Sequence, residues 1–335
     1  MQTATNLAPD APDLKSNRLT LRYVLQHAGI GLALLILVIF FSIASEHFLT
    51  AGNITNILTQ ITINLILAVG MTFVILIGGI DLSVGSVLAF AGVVAGKVIT
   101  LSGFSDGTLI TMAVLAGLGT GVICGLMNGL ISAWWGLPSF IITLGMLNIA
   151  RGAALHVADA RTIYSFPFSF EEFGSIMIFG VPILFLLALA LVAVAWVVLN
   201  FTVFGRMVYG IGNNEEAVRL AGHNVMFYKV GAFAICGACA GLAALAYMAR
   251  LNISSPIAGI AFELDAIAAV IIGGTSLAGG RGSVLGTLMG AFIIGVLANG
   301  LILMGLNDFM RQMITGLVII VAVIVDYYRA RFSTT

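Results

Sequence analysis

The 335-residue chain is 60% hydrophobic and only 8% charged, whereas a typical soluble domain has about 25% charged residues. Its 14 basic and 14 acidic residues give a net charge of zero. There is no basic run, and this excludes a nucleic-acid-binding surface. The composition is that of a protein embedded in a membrane.

Charge-free intervals long enough to cross a bilayer recur along the chain. A spanning helix needs about 20 consecutive apolar residues, and such intervals run from Arg22 to Glu46, Glu46 to Asp81, Asp106 to Arg151, Glu172 to Arg206, Lys229 to Arg250 and Arg281 to Asp308. The third interval holds two spans, separated by a turn at residues 134–138 whose Trp pair suits the headgroup level. With the shorter stretches 82–96, 266–280 and 312–325, we expect about ten membrane helices. Unpaired backbone groups cannot lie in lipid, so we predict an all-α integral membrane protein with a helix-only backbone.

The charges at the ends of the helices predict the orientation. We expect a single transmembrane domain over residues 28–328, with cytoplasmic tails at 1–27 and 329–335. Alternating helices then place nine of the 14 basic residues in the cytoplasm, in agreement with the positive-inside rule. The apolar run 30–41 loosely imitates a signal peptide, but the segment before it is long and partly acidic, so we expect an uncleaved first helix. The charged connection 201–229 would face an intracellular partner.

The cysteines and histidines do not form a recognisable reactive site. Cys236 and Cys239 have the spacing of a redox or metal half-site, but they lie in an apolar helix without a second ligand pair. We therefore predict that both, like Cys124, are small packing residues. The four histidines are scattered along the chain, which disfavours a membrane-embedded metalloenzyme. We predict no metal site and no bound cofactor.

A glycine-rich motif occurs twice. Residues 77–88 and 272–285 both begin Ile-Gly-Gly and both end Gly-Ser-Val-Leu, with two extra residues in the second copy. Each copy adjoins an apolar stretch too short to cross comfortably, which in transporters with internal repeats indicates broken or re-entrant helices and the transport path. Alternatively, the glycines only permit close helix packing. The candidate residues for a broken helix or translocation path are Gly78, Gly79, Asp81, Ser83, Gly85, Ser86, Gly273, Gly274, Thr275 and Ser276.

Asp81 is an ionisable residue at or near membrane depth and is therefore a functional candidate. The alternative is that it caps the N-terminus of the helix over 82–96, where the helix dipole favours a negative charge. We expect it to anchor the break rather than bind a solute.

Other small and polar residues within the spans are more ambiguous. Gly117, Gly121, Gly125 and Gly129 form one bare helix face, for which we predict packing. Several polar residues could hydrogen-bond a polyhydroxylated solute, although most should make interhelical contacts; they include Asn64, Thr72, Ser86, Asn128, Thr143, Asn148 and Asn299.

The connection 205–229 has the pattern of a short capped helix. Asn213 or Asn214 can cap a helix that starts near Glu215, where acidic residues complement the dipole. Gly222 suits its end. Periodicity alone leaves an ordinary amphipathic connector equally possible.

The same connection carries a family resemblance. Glu216-Ala217-Val218, followed three residues later by Gly222, is similar to the first half of the Glu-Ala-Ala coupling motif of ATP-binding-cassette importers. The second half, Ile-x-Leu-Pro, is missing, as is typical of the ribose, xylose and arabinose permease family. Segments 79–86, 212–222 and 263–280 also resemble motifs of that family, and the resemblance extends from about residue 30 to 328. The coupling residues that it implies are Asn213, Asn214, Glu215, Glu216, Ala217, Arg219 and Gly222.

The resemblance implies a ten-helix permease of the bacterial inner membrane with cytoplasmic termini. Its partners would be a second permease copy or paralogue, an ATPase subunit that binds ATP and Mg, and a periplasmic sugar-binding protein. A monosaccharide or small polyol would cross by alternating access. More distant relatives import nucleosides or branched-chain amino acids, and these substrates remain alternatives.

The chain itself has no phosphate-binding Gly-x-x-x-x-Gly-Lys-Ser/Thr loop. We therefore expect a non-catalytic subunit that depends on a separate ATPase. A secondary carrier driven by an ion gradient is the rival interpretation, because it would also show repeats, broken helices and a buried carboxylate. It would not need the motif in 205–229.

Overall fold

The computed structural model describes the backbone of residues 14–333, and the side chains of residues 29–324 except 308, 319 and 322. This part of the chain is almost entirely helical. Its elements are α1 (Leu14–Ala44), α2 (Ala51–Leu76), α3 (Val84–Ile99), α4 (Asp106–Trp135), α5 (Ser139–Val157), α6 (Phe168–Ser175), β1 (Met177–Ile178), β2 (Val181–Pro182), α7 (Ile183–Phe201), α8 (Val203–Leu220), α9 (Val225–Leu251), α10 (Phe262–Ile272), α11 (Val284–Leu303) and α12 (Asp308–Ser333).

Among the described residues, six helices are long and apolar enough to cross a membrane: α2, α4, α5, α7, α9 and α11. Two shorter apolar helical stretches, Gly29–Ala44 and Val84–Ile99, accompany them. The all-α membrane class is confirmed, while the expectation of about ten spans stays a prediction. The predicted turn between two spans lies between α4 and α5, and Trp134 and Trp135 there are exposed.

Two segments differ from the predicted organisation, and the boundaries predicted for the two tails stay a prediction. The stretch 266–280 is helical only to Ile272, where α10 ends. The tails predicted at 1–27 and 329–335 are helical wherever they are described, whereas residues 1–13 and 334–335 lie outside the described part. In the connection between α6 and α7, β1 and β2 form an antiparallel hairpin, so the expectation of a helix-only backbone is wrong there.

The hairpin turn has a local cause. Phe179 and Gly180 both have positive φ, 50° and 80°, which is the backbone of a type I′ turn. Phe179 is fully exposed.

The core is organised around α2, whose residues from Ile61 to Leu76 are buried apart from the partly exposed Asn64. It packs mainly against α9, α11, α10 and α7. Cys236 and Cys239 of α9 lie against Gly70 of α2, where an added Cβ would be 2.8 Å from the Cys239 Cβ. The predicted packing role of these two cysteines is therefore confirmed.

The glycine face of α4 packs on α9. A Cβ at Gly121 would overlap the carbonyl oxygen of Gly237, and one at Gly125 would overlap the carbonyl oxygen of Phe233. Backbones can approach this closely because the residues of α4 at the crossing have no Cβ. The packing prediction for this face is confirmed.

Candidate coupling site and the paired helix breaks

The first break separates α2 from α3. The amide of Gly78 donates to the Ile75 carbonyl oxygen at 2.9 Å, and the amide of Gly79 donates to the Val74 carbonyl oxygen at 2.9 Å. Gly78 has a φ of +78°. This left-handed glycine with paired backward hydrogen bonds is a common way to end a helix.

The second break separates α10 from α11 and has the same hydrogen bonds. The amide of Gly274 donates to Ile271 at 2.8 Å, the amide of Thr275 donates to Val270 at 3.1 Å, and Gly274 has a φ of +87°. Gly274, rather than the sequence-matched Gly273, is therefore the structural counterpart of Gly78. The same helix ending therefore occurs in both copies of the repeat, but one residue later in the second copy than the sequence match predicts.

The remaining predicted residues of the second break pack tightly. Gly273 lies against the carbonyl of Gly286, with no space for a Cβ. Thr275 is fully buried, and the Ser276 amide donates to the Arg281 carbonyl oxygen at 2.9 Å. α11 then begins after Ser283, whose hydroxyl accepts from the Gly286 amide at 3.0 Å.

Asp81 braces the first break. Its Oδ1 accepts hydrogen bonds from the Ser83 amide at 2.9 Å and the Ser83 hydroxyl at 2.6 Å. Asn128 of α4 donates to the Ser83 hydroxyl at 3.0 Å. The residue that precedes α3 is Ser83, not Asp81, so Asp81 holds the turn rather than capping the helix itself.

Side chains of α5 also form hydrogen bonds with the backbone of the first break. The Ser139 hydroxyl accepts from the Ile80 amide at 3.0 Å. The Thr143 hydroxyl accepts from the Leu82 amide at 3.1 Å and lies 3.2 Å from the Ile80 carbonyl oxygen, to which it donates. Buried backbone groups need such partners, and these bonds make the break a fixed feature of the fold.

Gly85 and Ser86 belong to the first turn of α3. The Ser86 hydroxyl donates to the Ser83 carbonyl oxygen at 2.8 Å. A Cβ at Gly85 would overlap the carbonyl oxygen of Gly259, in the connection between α9 and α10. Both residues therefore make structural contacts. They lie within α3, and neither takes part in ending α2 at the break.

The predicted coupling segment is more helical than expected. α8 runs from Val203, so 201–229 is not a loop, but Asn214 interrupts it with φ −161° and ψ 98°. The Asn214 Oδ1 accepts from the Ala217 amide at 3.0 Å. Asn214 is thus the N-cap of a short helix over residues 215–220, and of the two predicted cap residues it is the one that caps.

Gly222 lies just beyond the end of this short helix, with a φ of +84°. Its amide donates to Arg219 at 3.0 Å, and the His223 amide donates to Val218 at 3.3 Å. These are the helix-ending bonds that were predicted for this glycine.

One ion pair links the short helix to α9, and two more lie within the short helix. Glu215 pairs with Arg219 at 3.0 Å and with Lys229 of α9 at 2.6 Å. Glu216 pairs with Arg219 at 3.1 Å, and its side chain is 61% exposed. Ala217 and Leu220 are also exposed, so the short helix presents a mixed polar and apolar surface.

The two breaks and α8 meet at one place, which we call the glycine junction: Leu76, Gly78, Gly212, Gly279 and Gly280. The Gly280 amide donates to the Leu76 carbonyl oxygen at 2.8 Å. A Cβ at Gly212 would overlap both of these backbone atoms. The structure therefore places the coupling segment in direct contact with the end of α2 and the connection after α10.

Two side chains of α8 reinforce the junction. Asn213 Nδ2 donates to the Gly280 carbonyl oxygen at 3.3 Å, and the Tyr209 hydroxyl donates to the Gly282 carbonyl oxygen at 3.0 Å. Asn213 was predicted as a coupling residue, whereas Tyr209, Gly212 and Gly280 were not predicted. The sequence signal that could have predicted this contact is the cluster of glycines at 279, 280 and 282.

Comparison with protein families matches residues 53–323 to the family described as branched-chain amino acid transport system / permease component. The chain belongs to this permease family. All the predicted site residues of the permease lie within the matched range. No solved structure gives a significant match.

Individual relatives agree with the motif-based resemblance. The ribose import permease protein of Haemophilus influenzae is 42% identical over 302 residues, which are 89% of this permease and 92% of the relative. That of Bacillus subtilis is 40% identical over 306 residues, 90% and 93% of the two chains. The D-allose transport system permease protein of Escherichia coli is 38% identical over 292 residues, 87% and 88% of the two chains. The predicted resemblance to sugar-importer permeases is confirmed.

Proposed function

We propose that this permease is the membrane-spanning subunit of an ATP-binding-cassette importer for a monosaccharide or similar small polyol. The observation that carries the proposal is sequence similarity to ribose import permeases. The chain is 42% and 40% identical to two of them, over 89% and 90% of its length. A separate ATPase subunit binds ATP and Mg and performs the hydrolysis. This chain is a non-catalytic translocation subunit without a bound cofactor.

The geometry of α8 supports a coupling role. The short helix is capped at Asn214, ends at Gly222 and is held by Lys229, so it can move as a unit when a partner pushes on its exposed face. The residues that would meet or position the ATPase are Asn213, Asn214, Glu215, Glu216, Ala217, Arg219 and Gly222. The glycine junction would pass the movement to the ends of α2 and α10.

The paired breaks fit the role of fixed pivots beside the translocation path. Asp81 is 2% exposed and hydrogen-bonded to Ser83, which favours an anchoring role over contact with a solute. We assign the role of broken helix or translocation path to Gly78, Gly79, Asp81, Ser83, Gly273, Gly274, Thr275 and Ser276, and to Gly85 and Ser86 in the first turn of α3 that follows the break.

The helices support a ten-span topology. The six long apolar helices, together with α1, α3, α10 and α12, make ten, while the eight-residue α6 and the polar α8 lie beside the membrane. An even number of spans places both termini on one side, which the distribution of basic residues assigns to the cytoplasm. The complex sits in the bacterial inner membrane as a dimer of permeases with a periplasmic sugar-binding protein.

Uptake by the reconstituted complex tests the proposal. Proteoliposomes with the permease, its ATPase and its binding protein are offered labelled ribose, allose, fructose, arabinose, a nucleoside and leucine. We expect ATP-dependent uptake of at least one sugar. Uptake of leucine or the nucleoside alone would replace the substrate class, and sugar uptake driven by an ion gradient without ATP would indicate a secondary carrier.

A further inference from the structure

A cavity of about 570 Å³ lies among α2, α9, α10, α11 and α12. Among the described residues, none of those predicted from the sequence as coupling or broken-helix residues lines it. Its volume falls in the range of about 300–1,000 Å³ that is typical of small-molecule sites. The polar and charged residues of its lining are Gln60, Asn64, Arg250, Asp265, Arg311, Gln312 and Thr315.

Helical spacing explains why polar residues of α2 and α12 reach the cavity in pairs. Gln60 and Asn64 are four residues apart on α2, and Arg311 and Thr315 are four residues apart on α12. This spacing puts both members of each pair on one helix face. Polar and charged residues are costly in lipid and normally face a bundle interior or a water-filled cavity. α2 and α12 therefore each present a pair of polar side chains to the same cavity.

The charges and hydrogen-bonding groups of the cavity are suited to hydroxyl groups. Asp265 and Arg311 both line the cavity and carry opposite charges, which interact electrostatically. The Asn64 Oδ1 atom is buried and has no hydrogen-bond partner within the described part of the chain. The Asn64 side chain as a whole is partly exposed and lines the cavity, where an amide can hydrogen-bond to hydroxyl groups.

The cavity lies in the half of the membrane domain opposite the coupling segment. α2 ends at Leu76 in the glycine junction, and Asn64 and Gln60 precede that end by about 18–24 Å along the helix axis. In the orientation of the proposed function, this half faces the periplasm, the side from which an importer receives its substrate.

We propose that this cavity binds one monosaccharide-sized polyol during translocation. Hydroxyl groups of the ligand hydrogen-bond to the Asn64 amide and donate to the Asp265 carboxylate, while its oxygens accept from the Gln60 amide and the Arg311 guanidinium. The inference rests on the proposed function and adds to it a substrate site within a single permease chain.

Uptake by variants provides the first test. Asn64→Leu and Asp265→Asn should each slow ribose uptake about tenfold, the effect of losing one hydrogen bond to a desolvated partner. Stimulation of the ATPase by the sugar-loaded binding protein should persist, because the coupling segment is unchanged. Thr59→Val is the matched control on α2, since the Thr59 hydroxyl donates to the Thr55 carbonyl oxygen and does not line the cavity. Uptake by both cavity variants within about twofold of the control would overturn the inference.

Thiol labelling provides a second test that does not depend on uptake rates. The three native cysteines are buried, so an introduced cysteine can be labelled selectively. Thr315→Cys should react with a charged, membrane-impermeant thiol reagent, and ribose should slow the reaction. Leu317→Cys is the control, since Leu317 is exposed on α12 but does not line the cavity. Failure of Thr315→Cys to react, or a rate that ribose leaves unchanged, would overturn the inference.

Failure of the proposed function and failure of the cavity inference would give different experimental results. If the wild-type complex imports no sugar, the proposed function fails and this inference fails with it. If the wild type imports ribose but the cavity variants and the labelling behave like their controls, only the cavity inference fails.

Discussion

The backbone amide of Gly280 donates a hydrogen bond to the carbonyl oxygen of Leu76, and the two atoms lie 2.8 Å apart. Leu76 ends α2 at the first break, and Gly280 lies within the second break, between α10 and α11. The bond therefore joins the residue just before the first copy of the sequence repeat to the second copy. Gly212 packs against both atoms, so a displacement of α8 must move the breaks or open this contact.

Replacing Gly212 with Ala tests the junction. Its Cβ would overlap two backbone atoms, Leu76 O and Gly280 N, which cannot move aside as a flexible side chain can. We expect the overpacking to lower stability by about 1–3 kcal/mol, visible as a lower Tm of the purified permease. Gly210→Ala on the same helix is the control, because its Cβ would meet only the Val218 Cγ2 at 3.1 Å. Equal Tm values for the two variants would contradict the close contact.

Replacing Gly222 with Ala tests the end of the coupling helix. Gly222 has a φ of +84° and no atom within 4 Å of an added Cβ, so the substitution adds only backbone strain, about 1–2 kcal/mol. We expect normal assembly but less sugar imported per ATP hydrolysed. Gly103→Ala carries the same strain at a φ of +91°, also in open space, and lies in the connection between α3 and α4. An equal loss of coupling in both variants would show that strain alone, and not its position, is responsible.

Glu216→Gln separates contact with the ATPase from folding. The pair with Arg219 is exposed, and such pairs contribute only about 0–1 kcal/mol, so the Tm should barely change. The ratio of uptake to ATP hydrolysis should nevertheless fall, because the substitution removes a charge from the surface proposed to meet the ATPase. Undiminished transport by both Glu216→Gln and Gly222→Ala would remove the coupling assignment.

Asp81→Asn tests the anchor of the first break. The Asp81 carboxylate accepts two hydrogen bonds from Ser83, and hydrogen bonds to a charged group contribute about 1.5–3 kcal/mol each. An amide accepts more weakly, so we expect less folded permease and a lower Tm. Asp159→Asn should be neutral, because Asp159 is 81% exposed and lies 4.0 Å from Lys97. Normal folding with a changed substrate profile would instead place Asp81 on the translocation path.

Two glycines of α4 should respond to Ala with opposite signs. A Cβ at Gly121 would overlap the Gly237 carbonyl of α9, whereas Gly119 has no atom within 4 Å of one. We expect Gly121→Ala to lower the Tm through overpacking. Gly119→Ala should raise it slightly, since Ala favours a helix interior by about 0.5–1 kcal/mol over Gly. The comparison of the two Tm values checks whether α4 and α9 touch as described.

Much of the local structure followed from the sequence. The Asn214 cap depends on a side chain and an amide three residues apart, and Gly222 ends the same helix by its own backbone conformation. Both are interactions within one or two turns, where residue type and spacing are sufficient. The repeat similarly predicted two interrupted helices, but not that Gly274 rather than Gly273 takes the left-handed conformation, because two adjacent glycines are equally able to adopt it.

The sequence by itself determined that this chain is a membrane permease with a short capped helix in the connection 205–229, since hydrophobic length and short-range motifs require no knowledge of packing. Only the tertiary structure decided that Gly212 meets Leu76 and Gly280, and that Asn64, Asp265 and Arg311 surround one cavity. These residues lie on different helices, far apart along the chain. Their proximity depends on how the helix faces pack together, which a period of 3.6 residues along each helix does not specify.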